Sequence, residues 1–163
     1  MEKGCKWRFR GVKWCNIRTW GETVLLGEHK RTMDDKGRMI LPREYRQELG
    51  SGLIVTKGLD NCLILYPMKE WERLVERIEE MPSGSESTRI FTRLFFPNAS
   101  QLVPDGQGRV MIPAHLRQMA GLEKEIVIAG LANKAEVWNP DSWEGFKNEH
   151  AQKYERSAAD IGI

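Results

Sequence analysis

Apolar positions along this chain change their spacing several times, and each change marks an expected element. Leu53 to Thr56 and Leu63 to Tyr66 are short β-rich runs separated by Gly58-Leu59-Asp60-Asn61, which predicts a hairpin. Ile126 to Ala129 and Ala135 to Trp138 repeat that pattern around 130–134 and predict a second one. Past Pro67, residues Trp71, Leu74, Val75, Ile78 and Met81 fall three and four apart, the period of an amphipathic helix. Trp143, Phe146, His150 and Tyr154 show the same period more weakly. Ile90, Phe91, Leu94 and Phe95 predict a further helix, closed by Pro97 and preceded by a turn or linker at Pro82-Ser83-Gly84-Ser85. The runs Met39 to Leu41 and Val110 to Ile112 are short strands ended by proline, which cannot continue a central ladder and suits the first turn of a helix. Arg43 to Leu49 and Ala114 to Ala120 then make short helices, stopped by Gly50 and Gly121.

These elements occur twice. Asp34-Asp35-Lys36-Gly37-Arg38-Met39-Ile40-Leu41-Pro42 lies over Asp105-Gly106-Gln107-Gly108-Arg109-Val110-Met111-Ile112-Pro113, with Asp, Gly, Arg and Pro identical and apolar residues at the three positions before proline. The offset of 71 carries through Arg46 over Arg117 and Gly50 over Gly121. It becomes 72 for Gly58 over Gly130, Asn61 over Asn133 and Trp71 over Trp143. Two copies are too few for a solenoid, so the expected outcome is an α+β pseudo-twofold pair sharing one core. The organisation is then an N-terminal extension, 1–23; a first repeat, 24–81; a linker and helix, 82–100; a second repeat, 101–155; and a tail, 156–163.

Charge does not announce a partner. The whole chain is +2, but six of its 25 cations and only two of its 23 acids lie in 1–23, so the remainder carries 19 against 21. Whole-domain basicity, the simplest mark of nucleic-acid binding, is absent from the repeats. The extension holds Trp7, Trp14 and Trp20 among scattered cations and reads as a disordered or non-native segment, or as an arm adding phosphate contacts. It has no apolar core of signal-peptide type, and no run of 18 apolar residues occurs, so a cytoplasmic protein without a spanning helix is expected. Cys5, Cys15 and Cys62 form no pair of disulfide or zinc type, and Cys5 and Cys15 with His29 match no common metal spacing. His29, His115 and His150 lie in unrelated contexts, without a glycine-rich phosphate loop, so neither an enzyme nor a bound metal or other cofactor is expected.

What remains is the pair of turns. In each, the aspartate (Asp34, Asp105) can accept backbone N–H groups two or so residues on, and the glycine (Gly37, Gly108) supplies the positive φ of a tight turn. Turn geometry makes no demand for the arginine that follows, Arg38 or Arg109. One reading makes it a DNA contact, since a guanidinium on a rigid β element can pair bidentately with guanine or grip a phosphate. The other makes it the partner of the turn aspartate and no more. Lys30, Arg31, Lys36 and Arg38 surround the first turn, where the second has Gln101, Leu102, Gln107 and Arg109. The first turn is therefore expected to face DNA more closely.

With both motifs, their spacing and their Gly-Arg-(apolar)3-Pro tails matching together, the chain from 24 to about 155 resembles the bacterial MraZ family, which carries two Asp-x-x-x-Arg signatures. The resemblance implies two tandem AbrB-like, swapped-hairpin repeats forming one pseudo-twofold β-barrel with peripheral helices. It also implies ring-shaped homo-oligomers and a regulator, associated with the nucleoid, that binds double-stranded DNA at its own promoter upstream of the division and cell wall genes. Residue by residue it places the DNA-contacting lysine and arginine on Lys36 and Arg38 and the second arginine on Arg109. Avidity of a ring on direct repeats about one helical turn apart would replace net charge. The competing expectation is an AbrB-like antitoxin or a protein-interaction scaffold, although an antitoxin usually pairs one such half with a disordered tail.

Overall fold

A computed structural model describes residues 24–163. The expectations for 1–23, and for Cys5 and Cys15 beside His29, lie outside the described residues. The first repeat runs β1 (Glu28–Thr32), β2 (Arg38–Ile40), a 3-10 turn (Arg43–Tyr45) leading into α1 (Arg46–Leu49), β3 (Leu53–Lys57), β4 (Leu63–Pro67) and α2 (Met68–Glu79). Then α3 (Glu86–Phe95), whose first turn is capped by the Ser85 hydroxyl accepting the Thr88 N–H, leads to the second repeat. That repeat comprises β5 (Ser100–Leu102), β6 (Arg109–Met111), α4 (Ala114–Met119), β7 (Glu125–Gly130), β8 (Ala135–Trp138), α5 (Pro140–His150) and α6 (Tyr154–Asp160). The chain is α+β, with an antiparallel six-stranded sheet in the order β1-β7-β8-β4-β3-β5 and a two-stranded ribbon of β2 with β6.

Both predicted hairpins form, β3 with β4 and β7 with β8. The first strand of each repeat, however, joins the other repeat's hairpin: β1 pairs with β7, and β5 pairs with β3. Alternation along the strands explains why these hairpins read as continuous apolar runs. Leu53, Val55, Leu63, Leu65, Ile126 and Ile128 enter one central core contributed by both repeats. The intervening Ile54, Ile64 and Tyr66 meet Trp71 and Leu74 of α2 and Phe95 of α3. Val127 and Trp138 meet Trp143 and Phe146 of α5. Each hairpin is thus covered on both faces, a condition that replaces strict alternation with unbroken hydrophobicity.

Helix α1 stops at Leu49 with Gly50 as its cap, as expected, although Gly50 keeps a φ of −69 and its N–H still donates to the Arg46 carbonyl. Positive φ arrives two residues later, at Gly52 (+139), whereas Gly121 itself adopts +58. One expectation needs correction: the final stripe does not run as one helix through Tyr154. Phe146 and His150 stack at 4.4 Å, but a 3-10 turn over Ala151–Lys153 intervenes, and its three residues per turn rotate Tyr154 away to 75 % exposure. Helix α6 then continues to Asp160, into the stretch read as a tail.

The glycine paired with Gly58, Gly130, sits at a crowded place in the sheet. A β-carbon on Gly130 would come within 2.4 Å of the Tyr45 hydroxyl and 2.5 Å of the Leu25 carbonyl oxygen, and Leu25 itself is tied by two backbone bonds to Ala132. Gly130→Ala is expected to destabilise the fold by about 1–3 kcal/mol through overpacking. Gly145→Ala, within α5 and with nothing inside 4 Å, should stabilise it by about 0.5–1 kcal/mol. Urea unfolding at one fixed protein concentration checks both, and equal behaviour of the two variants would contradict this packing.

Candidate nucleic-acid interface

Each signature folds into the same closed turn. The Asp34 N–H donates to the Arg38 carbonyl and the Gly37 N–H donates to the Asp34 carbonyl, both at 2.9 Å. One carboxylate oxygen of Asp34 accepts the N–H groups of Lys36 (3.0 Å) and Arg38 (2.9 Å). The other accepts Nε of Arg38 at 2.6 Å. In the second repeat Asp105 accepts the Gln107 and Arg109 N–H groups at 2.9 and 3.0 Å and Arg109 Nε at 2.7 Å. Gly37 and Gly108 hold φ of +81 and +74, conformations that side chains rarely adopt.

The ion pair therefore exists in both turns, and its geometry changes what it means. Both pairs are exposed, and both engage the arginine through Nε alone. Nε lies on one side of the planar fork, so the Nη1 and Nη2 donors that grip a guanine edge or a phosphate end-on are left available. Pairing with aspartate and contact with an anion are then compatible: the first fixes the rotamer for the second.

The ribbon brings the two turns together. Its register sets Arg38 opposite Met111, Met39 opposite Val110 and Ile40 opposite Arg109. Met39 and Val110 point into the core at 1 % and 3 % exposure, so the alternate residues share the outer face. That face carries two arginines and two exposed apolar side chains, Ile40 and Met111, in diagonal arrangement. Beside it lies a groove of about 390 Å³ to which Arg38, Ile40, Arg109 and Lys124 contribute. Lys124 was not singled out from sequence, because it belongs to neither motif. Its carbonyl accepts the Met33 N–H at 2.7 Å, a contact between repeats that no local pattern reveals.

The remaining expected cations separate. Lys36 is exposed between Asp34 and Gly37 in the turn. Lys30 and Arg31 instead line an adjoining groove of about 360 Å³ with Glu125 and Pro140, and Arg31 donates to the Lys30 carbonyl. The histidines occupy different elements: His29 meets the Tyr45 ring edge-on, His115 is in α4 and His150 stacks on Phe146. No group of three or more metal-ligating side chains occurs among the described residues, and no helix among them is long and apolar enough to cross a membrane.

Comparison with known proteins bears on this double motif. The family model described as "MraZ protein, putative antitoxin-like" matches twice, over residues 24–94 and 95–161. The chain belongs to the MraZ family. Its relatives include a protein of Halothermothrix orenii, 44 % identical over 86 % of this chain and 100 % of the relative. One from Carboxydothermus hydrogenoformans is 44 % identical over 83 % and 94 % of the two chains. Another, from Caldicellulosiruptor bescii, is 47 % identical over 74 % and 84 %. Each of these relatives bears the name transcriptional regulator MraZ.

The carboxylates report how tightly the MraZ turns are closed. The Arg38 backbone N–H, then its guanidinium, hold Asp34 below the ordinary carboxylate range. In the second turn the Arg109 N–H and side chain bring Asp105 from 3.8 down to about 2. A lowered folded value favours the ionised, closed turn above about 3.8, and that contribution is lost as pH falls through about 2. Side-chain carbon NMR should find Asp105 titrating near 2, and Arg109→Gln should return it toward 3.8. An ordinary titration in the unsubstituted chain would refute the closed geometry.

Proposed function

We propose that this chain is a transcriptional regulator that binds double-stranded promoter DNA with the β2–β6 ribbon. The observation that carries the reading is the pair of arginines on one outer face, each anchored through Nε and each with its Nη fork free of that bond. A two-stranded ribbon fits the major groove, and a pre-oriented guanidinium matches the O6 and N7 acceptors of guanine. Lys36 at the turn and Lys124 beside it grip phosphates, with Lys30 and Arg31 extending the contact along the adjoining groove. The relatives' shared name supports regulation of transcription as the purpose of that binding.

The finer features follow from the family resemblance and from charge. The protein binds its own promoter, upstream of division and cell wall genes, as a ring of subunits in the nucleoid region of the cytoplasm. Each subunit is a barrel of two swapped-hairpin repeats. Because residues 24–163 carry no excess of positive charge, affinity is built from several weak heads held at fixed separation. Such a ring reads direct repeats spaced by about 10 base pairs, the recurrence of one groove face.

Fluorescence anisotropy of a labelled fragment upstream of the chain's own gene, with random DNA as competitor at two salt concentrations, tests the reading. Arg38→Ala is expected to weaken specific binding by about ten- to a hundredfold, the value of one bidentate base contact of about 1–3 kcal/mol. Lys36→Ala should weaken specific and random DNA alike and flatten the salt dependence. Binding by Arg38→Ala equal to that of the parent would defeat the proposal.

A further inference from the structure

Arg46 and Arg117, equivalent in the two repeats, lie in the short helices α1 and α4. Each guanidinium packs against the turn glycine of the opposite repeat. A β-carbon on Gly37 would stand 2.6 Å from Arg117 Nε and 2.8 Å from its Cζ. On Gly108 it would stand 2.6 Å from Arg46 Nε and 2.9 Å from Cζ. The backbone makes the same exchange, with Ile112 N–H donating to the Gly37 carbonyl and Leu41 N–H to the Gly108 carbonyl, both at 2.9 Å.

Hydrogen bonding does not account for these two side chains. Arg117 Nε is buried without a hydrogen-bond partner among the described residues. Arg46 Nε reaches only the Leu41 carbonyl, at 3.3 Å. Arg117 Nε thus bears a desolvation that an apolar side chain of similar length would avoid, whereas Arg46 is an exposed residue. What arginine supplies instead is a flat, rigid and permanently charged plate. The space left by the missing glycine side chain admits that plate, and it places positive charge behind the turn whose outer arginine faces DNA in the proposed function.

We propose that Arg46 and Arg117 are positioning residues acting crosswise. Arg117 of the second repeat sets the turn bearing Lys36 and Arg38, and Arg46 of the first sets the turn bearing Arg109. The two recognition arginines are thereby fixed relative to each other as one head. The effect on DNA rests on the proposed function, whereas the crosswise support of the turns does not.

Amide hydrogen exchange of the full chain without DNA, followed by mass spectrometry on peptides covering 34–39 and 105–110, tests the support directly. Arg117→Met should speed exchange in 34–39 by on the order of tenfold while leaving 105–110 near its original rate. Arg46→Met should do the reverse. Arg117→Lys keeps charge and stem but not the plate; it is expected to give the same pattern as Arg117→Met and serves if that variant fails to fold. Loosening confined to the variant's own repeat, equal loosening of both turns, or parent-like exchange in the Lys variant would overturn the proposal. In DNA binding, Arg117→Met and Arg38→Ala should combine less than multiplicatively, whereas Arg117→Met and Arg109→Ala should simply multiply. Multiplication in both pairs would also overturn it. A crossed exchange pattern together with an Arg38→Ala variant that binds like the parent supports the brace and removes the DNA reading.

Discussion

Neither repeat can complete its fold from its own residues, because β1 finds its ladder on β7, β5 finds its ladder on β3, and β2 pairs along its length with β6. An isolated pair of three-residue strands would be marginal in water. Here the ribbon persists because Met39 and Val110 enter the common core and Leu41 and Ile112 follow them at essentially full burial. Pro42 and Pro113 then turn the chain directly into short helices whose Leu49 and Leu116 close the same core. The exchange of strands thus places the two Asp-x-x-Gly-Arg turns at the ends of one ribbon, and every property of the outer face depends on it.

Within each turn, aspartate, glycine and arginine behave as one device. The carboxylate collects two backbone N–H groups and one Nε, so the backbone bend and the arginine rotamer are set by the same atom pair. A recognition side chain ordered before it meets its target loses less conformational entropy on binding. The ion pair, viewed from sequence as a rival to DNA contact, is compatible with such a contact, because it engages Nε and not the Nη groups.

The hairpins, the proline-ended strands and the amphipathic stripe of α2 were legible because each depends on local spacing and on residues whose backbone preferences are strong. Strand exchange entered only as something the family resemblance implied and not from residue spacing, since alternation tells which side chains are buried and nothing about which strand lies alongside. Arg46 over Arg117 was visible as a repeat identity, yet its place beneath the opposite glycine is tertiary. Lys124 carried no signal because a backbone bond to Met33 brings it to the groove. Gly50 was legible as the stop of α1, whereas the positive-φ bend falls at Gly52, which no spacing marked. Tyr154 kept the helical period of the residues before it and was displaced by a 3-10 turn that composition does not mark.

Fusion of the two repeats has a consequence for direction. An assembly of two identical single repeats must carry the same side chain at both ends of its ribbon. This chain holds Lys36 at one end and Gln107 at the other, and Lys30 and Arg31 where the second copy has Gln101 and Leu102. The backbone of the ribbon keeps its near-symmetry, while the side chains at its two ends differ. A subunit laid on DNA through such a ribbon acquires a heading, and the two ways of placing it on the same base pairs differ in energy.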